Sequence, residues 1–85
     1  MQKQTIVAYN DDVTPYEAVI QFFVQIFDMS MEDAVTLTEL INTTDASEPV
    51  VLGEYIPEIA ETLIDECNQA NINNDLTFRI EVLQK

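Results

Sequence analysis

Gln4-Thr5-Ile6-Val7-Ala8-Tyr9 is a short run with β-branched and aromatic content, and it predicts a strand over residues 4–9. Beyond Asn10-Asp11-Asp12 the period changes. Tyr16, Val19, Ile20, Phe23, Ile26 and Phe27 recur at helical spacing, which predicts a helix of about three to four turns. Phe22 and Val24 lie off that stripe, so this helix is expected to be buried on more than one side. Asp28-Met29-Ser30 breaks it. Ser30 suits an N-cap, with Glu32 and Asp33 in the first turn, where the helix dipole favours acids. Ala34, Leu37, Thr38 and Ile41 then share one face of a second helix, and residues 42–49 read as loop.

Val50 to Tyr55 predicts a second strand, in which Gly53, the single glycine, marks either a bulge or a close backbone approach. Pro57 opens a third helix with an apolar stripe of Ile59, Ala60, Leu63, Ile64 and Cys67. Asn71 to Asn74 are expected to turn the chain out of it, since asparagine tolerates the left-handed region. Leu76, Phe78, Ile80 and Val82 alternate with Thr77, Arg79 and Glu81, the clearest strand signal present. The order βααβαβ predicts an α+β fold: one small domain over residues 1–85, a three-stranded antiparallel sheet with three helices packed on one face.

The corner between the first strand and first helix concentrates the chemistry. Thr14 is expected to cap the helix, with Pro15 at its first position and Glu17 completing a capping box. Just ahead stand an amide and two carboxylates, Asn10, Asp11 and Asp12. The only basic side chains are Lys3, Arg79 and Lys85, so nothing adjacent in sequence neutralises them. Such a corner suits a cation, and a protonated amino group in particular. The same residue types also favour plain turn-and-cap chemistry.

Net charge narrows the partners. Sixteen acids against three bases give −13. Nucleic acid and anionic membrane surfaces are excluded, because both need basic side chains to displace counterions. Basic or amino-terminal partners fit, and the bland alternative is simple solubility. One cysteine, Cys67, lies on an apolar stripe, and there is no histidine. That leaves no metal cluster, no cofactor site and no activated nucleophile, so an enzyme is not expected. With no signal peptide and no membrane-length apolar run, the chain reads as cytoplasmic.

Two motifs carry a family resemblance: Asn10-Asp11-Asp12-x-Thr14-Pro15, and Gly53-x-Tyr55-x-x-Glu58-x-Ala60-Glu61-Thr62. With the elements around them, they make the chain resemble the ClpS family, adaptors of the bacterial Clp protease. The ribosomal stalk C-terminal domain shares that architecture but uses a lysine-rich helix that is missing here. The resemblance implies a monomeric adaptor that binds N-degrons, proteins with a leucine or aromatic N-terminal residue, and hands them to the N-terminal domain of a ClpA- or ClpC-type AAA+ unfoldase. It implies that Asn10, Asp11, Asp12 and Asn42 hold the α-amino group. Thr14, Tyr16, Val19, Thr38, Ile41 and Leu76 would line the side-chain pocket, and Glu58 and Glu61 would meet the unfoldase. For Thr38, Ile41 and Leu76 ordinary core is an equal reading.

This sequence departs from the family at several points. Asn42 stands where the family has a histidine, Tyr16 and Thr38 where methionines are common, and Leu63 where a lysine is presented. Only a short stretch precedes the first strand, where the family has an extended tail. The alternative function is therefore an interaction protein or inhibitor that occupies the adaptor site without delivering substrate, a pattern that a phage-encoded copy in a bacterial host would fit.

Overall fold

The computed structural model describes residues 2–83; Lys85, one of the three bases, lies outside them. The elements are β1 (Gln4–Ala8), α1 (Tyr16–Gln25), α2 (Met31–Asn42), β2 (Val50–Tyr55), α3 (Pro57–Asn74) and β3 (Ile80–Val82). β1 is the middle strand of a three-stranded sheet ordered β2-β1-β3, antiparallel to both neighbours. Burial follows from that position: Ile6, Val7 and Ala8 are inaccessible to solvent.

β1 faces β2 with a shifted register. Ile6 pairs with Gly53, but Val7 pairs with Val51, so Leu52 is an extra residue that bulges the outer strand. Gly53 also meets a close approach. A Cβ there would lie 3.1–3.3 Å from the Tyr55 ring, so the side chain of Tyr55 lies where glycine leaves room for it. Both readings of the glycine hold at once.

Ile6, Ala8, Val50 and Ile80 of the sheet join Phe22, Phe23, Ala34, Ile41, Ala60 and Cys67 of the helices in one core. Phe78 stacks edge-on against Phe22 at 5.4 Å and Phe23 at 6.1 Å, so α1 buries two aromatic rings against the segment entering β3. This explains the apolar residues off the main stripe of α1: Phe22 as well as Phe23 is buried. No helix among the described residues is long and apolar enough to cross a membrane.

The elements differ from expectation at several places, and β3 spans only Ile80–Val82 rather than the whole alternating run from Leu76. α1 starts at Tyr16 with Pro15 in the cap position, and no side chain caps it. The Thr14 hydroxyl donates to Asp11 instead, so the capping box with Glu17 is not made. Asn71 to Asn74 remain helical. The left-handed residue is Asp75, at φ 55°, and the asparagines hydrogen-bond along or beyond the helix, Asn74 to the Ala70 carbonyl and Asn71 to that of Phe78. Ile59 is 48% exposed and belongs to the outer surface rather than the core stripe. Residue 9 lies beyond β1, although the Tyr9 N–H still donates to the Arg79 carbonyl at 3.1 Å. The Ser30 cap is made, its hydroxyl accepting from the Asp33 N–H at 3.1 Å.

Candidate functional site

Three segments distant in sequence meet at the corner after β1. Asp11 organises them. Its Oδ1 accepts from the Val13 N–H at 2.9 Å, while Oδ2 accepts from the Thr14 hydroxyl at 2.8 Å and the Thr77 hydroxyl at 2.6 Å. The first two bonds fold the corner on itself, and the third ties it to the chain entering β3. Burial raises the Asp11 carboxyl, but the bonds from Thr77, Val13 and Thr14 outweigh it and hold the group below its ordinary value of 3.8. Asn10 ties the corner to the end of α2, its amide donating to the carbonyls of Asn42 at 3.4 Å and Thr44 at 3.3 Å.

Those bonds spend both donors of Asn10 and most of the acceptor capacity of Asp11 within the protein. Among the described residues, no hydrogen bond engages the amide oxygen of Asn10, the side chain of Asn42 or the carboxylate of Asp12. Arg79 is committed elsewhere: it pairs with Glu81 at 3.0 and 3.1 Å, and its guanidinium lies 4.1 Å from the centre of the Tyr9 ring. The corner therefore holds unneutralised acceptors, the requirement for binding an ammonium group.

A cavity of about 50 Å³ opens beside it. Asn10, Asp11 and Asn42 line its polar end; Thr14, Tyr16 and Val19 of α1, with Thr38 and Ile41 of α2, line the rest. Thr38 is 2% exposed, and its hydroxyl donates to the Ala34 carbonyl at 2.7 Å. The Thr14 hydroxyl is likewise taken by Asp11. Both threonines thus have their donors satisfied inside the protein. Tyr16 lies beside Glu39 of α2, and burial, then the Glu39 carboxylate, raise its phenol above the ordinary value.

Two expected members fall outside the cavity. Leu76 lines a separate groove of about 710 Å³ between α1 and α3, with Phe22, Ile26 and Ala70. The reason is the length of α3: the chain leaves the helix only after Asn74, and the Leu76 N–H donates to the Asn71 carbonyl, which holds Leu76 at the helix end. Phe78, two residues on and about 7 Å further along an extended chain, closes the cavity instead. Its place in the alternating pattern marked it as buried, but not where. Asp12 is exposed and is not among the lining residues. Thr77 was missed altogether, since its link to Asp11 spans 66 positions and has no local signature.

On the outer side of α3, Glu58, Glu61 and Asp65 are exposed, with the exposed Ile59 beside Glu58, while Leu63 packs against the core.

A protein-family model described as "ATP-dependent Clp protease adaptor protein ClpS" matches residues 2–81. The chain is 30% identical over 77 residues to the ATP-dependent Clp protease adapter protein ClpS of Treponema denticola, covering 91% of this chain and 73% of the relative. It is 35% identical over 74 residues to the protein of the same description from Desulfotalea psychrophila, covering 87% and 70%. The structure of Agrobacterium tumefaciens ClpS2 bound to L-phenylalaninamide superposes with a TM-score of 0.80 at 21% identity, covering 96% of this chain and 98% of that one, a likeness of fold.

Proposed function

The chain belongs to the ClpS family of Clp protease adaptors, and from that premise we propose that it recognises N-degrons by their free α-amino group and hydrophobic first side chain. One observation carries the reading. The unengaged acceptors of Asn10 and Asn42 line a cavity shared with Tyr16, Val19, Ile41 and Phe78, and the exposed Asp12 belongs to the same corner. An ammonium group seated there donates to the two amide oxygens and is balanced by the Asp12 charge, directly or through water. An acetylated or internal nitrogen has one donor and no charge, and leaves those acceptors unpaired. The ligand of the Agrobacterium relative, an amino-acid amide with a free α-amino group, is of the matching chemistry.

In this reading the bound protein passes to a ClpA- or ClpC-type unfoldase in the bacterial cytosol, with Glu58 and Glu61 facing the unfoldase's N-terminal domain. Fluorescence anisotropy with peptides of differing N-terminal residue, each free and acetylated, tests the recognition. Saturable binding of free peptides alone, weakened at least tenfold in Asp12→Ala, is the expected result. Asp12 is the suitable variant because it holds no part of the corner together.

A second reading has its own support. Leu63, half-buried where the family presents a lysine, and the acidic face around Ile59 alter the docking side. A protein that docks on the unfoldase and blocks a normal adaptor, while binding no free N-terminus, would be an inhibitor on the same fold.

A further inference from the structure

We infer that the groove between α1 and α3 grips the same bound chain a second time, taking an extended, uncharged segment a few residues beyond its N-terminus. The inference rests on the α-amino reading above and adds a second contact to it. The groove holds about 710 Å³, within the range of about 300–1,000 Å³ usual for ligand sites. Its floor is apolar, with Phe22 buried and Ala18, Ile26, Ala70 and Leu76 half-buried. Exposed amides border it: Gln21 and Gln25 from α1, and Gln69, Asn73 and Asn74 from α3.

The amides are ordered in pairs. Gln25 Nε2 donates to Gln21 Oε1 at 2.8 Å, and Gln69 Nε2 donates to Asn73 Oδ1 at 3.1 Å. Each pair keeps one carbonyl oxygen and one whole NH2 group for a ligand. Both walls thus offer donors and acceptors together, which is what the N–H and C=O groups of an extended backbone need. Seven or eight helical steps make a wall of roughly 10–12 Å, the length of about three extended residues. Charge decides which kind of chain fits. Glu66 is the single charged residue of the lining, although the protein carries sixteen acids. A second copy, itself at −13, is repelled, and a basic segment is drawn more strongly to the acidic surface elsewhere.

The groove also adjoins the cavity for the first residue. Ala18 lines the groove and its neighbour Val19 the cavity; Leu76 lines the groove and Phe78 the cavity. The rings of Phe22 and Phe78, one from each site, meet at 5.4 Å. At about 3.3 Å per residue, a chain that begins at the cavity needs only a few residues to arrive at the groove.

Anisotropy titration with uncharged peptides sharing a free N-terminal Leu or Phe, three or ten residues long, tests this. The longer peptide carries apolar residues at its positions 4 to 6 and should bind at least tenfold more tightly. Ala18→Trp, which fills the groove, should bring the longer peptide to the level of the shorter and leave the shorter unchanged. Gln25→Ala combined with Gln69→Ala alters only exposed positions and should weaken the longer peptide alone, by about threefold or more. Equal affinity for the two lengths overturns the groove contact and leaves amine recognition standing. A length effect that survives both variants overturns its assignment to this groove. A dimer in sedimentation that Ala18→Trp abolishes gives the groove to a second copy and overturns the inference. Binding of neither free peptide, or binding indifferent to acetylation, overturns the inference together with the reading beneath it.

Discussion

Asp11 shows how one side chain converts a turn into a site. Three donors converge on its carboxylate, two from its own corner and one from Thr77. Its folded pKa is lowered, so its contribution to stability is intact above the unfolded carboxyl value near 3.8 and is lost as pH falls through the lower folded value. Acid titration followed by NMR should therefore show the resonances of residues 10–14 and Thr77 shifting together below that value. Thr77→Val should remove the long-range bond, lowering stability by about 1 kcal/mol in urea denaturation. Cys67 is the opposite case. It is 1% exposed, and burial, helped by the Glu66 charge, pushes its thiol up to about 12. A thiol reagent at pH 8 should leave it unmodified in the native protein and label it fully in denaturant.

At the scale of elements, helix ends decide where the site residues fall. α2 begins on the Ser30 cap, and Ser30→Ala should cost about 1 kcal/mol in thermal or urea unfolding. α3 ends on Asp75 in the left-handed region, at φ 55°. Glycine meets no Cβ penalty there, so Asp75→Gly should stabilise the protein by about 0.5–1 kcal/mol. The length of α3 also assigns Leu76 and Phe78 their different places.

For the molecule as a whole, charge dominates. Thirteen excess negative charges on a body with a radius of gyration of 12.0 Å repel one another. At about 0.01 M salt the screening length is roughly 30 Å, close to the protein's longest extent of 35 Å, and at about 1 M it is roughly 3 Å. Salt should therefore raise the melting temperature, measured calorimetrically across that range. It should also slow association with any basic partner.

The α+β class, the element order and most of the core were written in local pattern, because apolar periodicity and turn residues act within a few positions. β2 was legible to the residue, and so were Ser30 as a cap and the buried face of Ala34, Thr38 and Ile41. The two motifs, together with those elements, were enough to mark the family. Tertiary structure decided what local pattern cannot encode. The Thr14 hydroxyl could accept from an N–H of its own helix end or donate to Asp11, and it is in the folded protein, where Thr77 arrives from 66 positions away, that Asp11 becomes the hub. Phe78 rather than Leu76 closes the cavity because α3 runs on through Asn74. The size of that cavity likewise depends on how α1, α2 and the segment entering β3 pack together, since a volume belongs to several elements and to no single stretch of sequence.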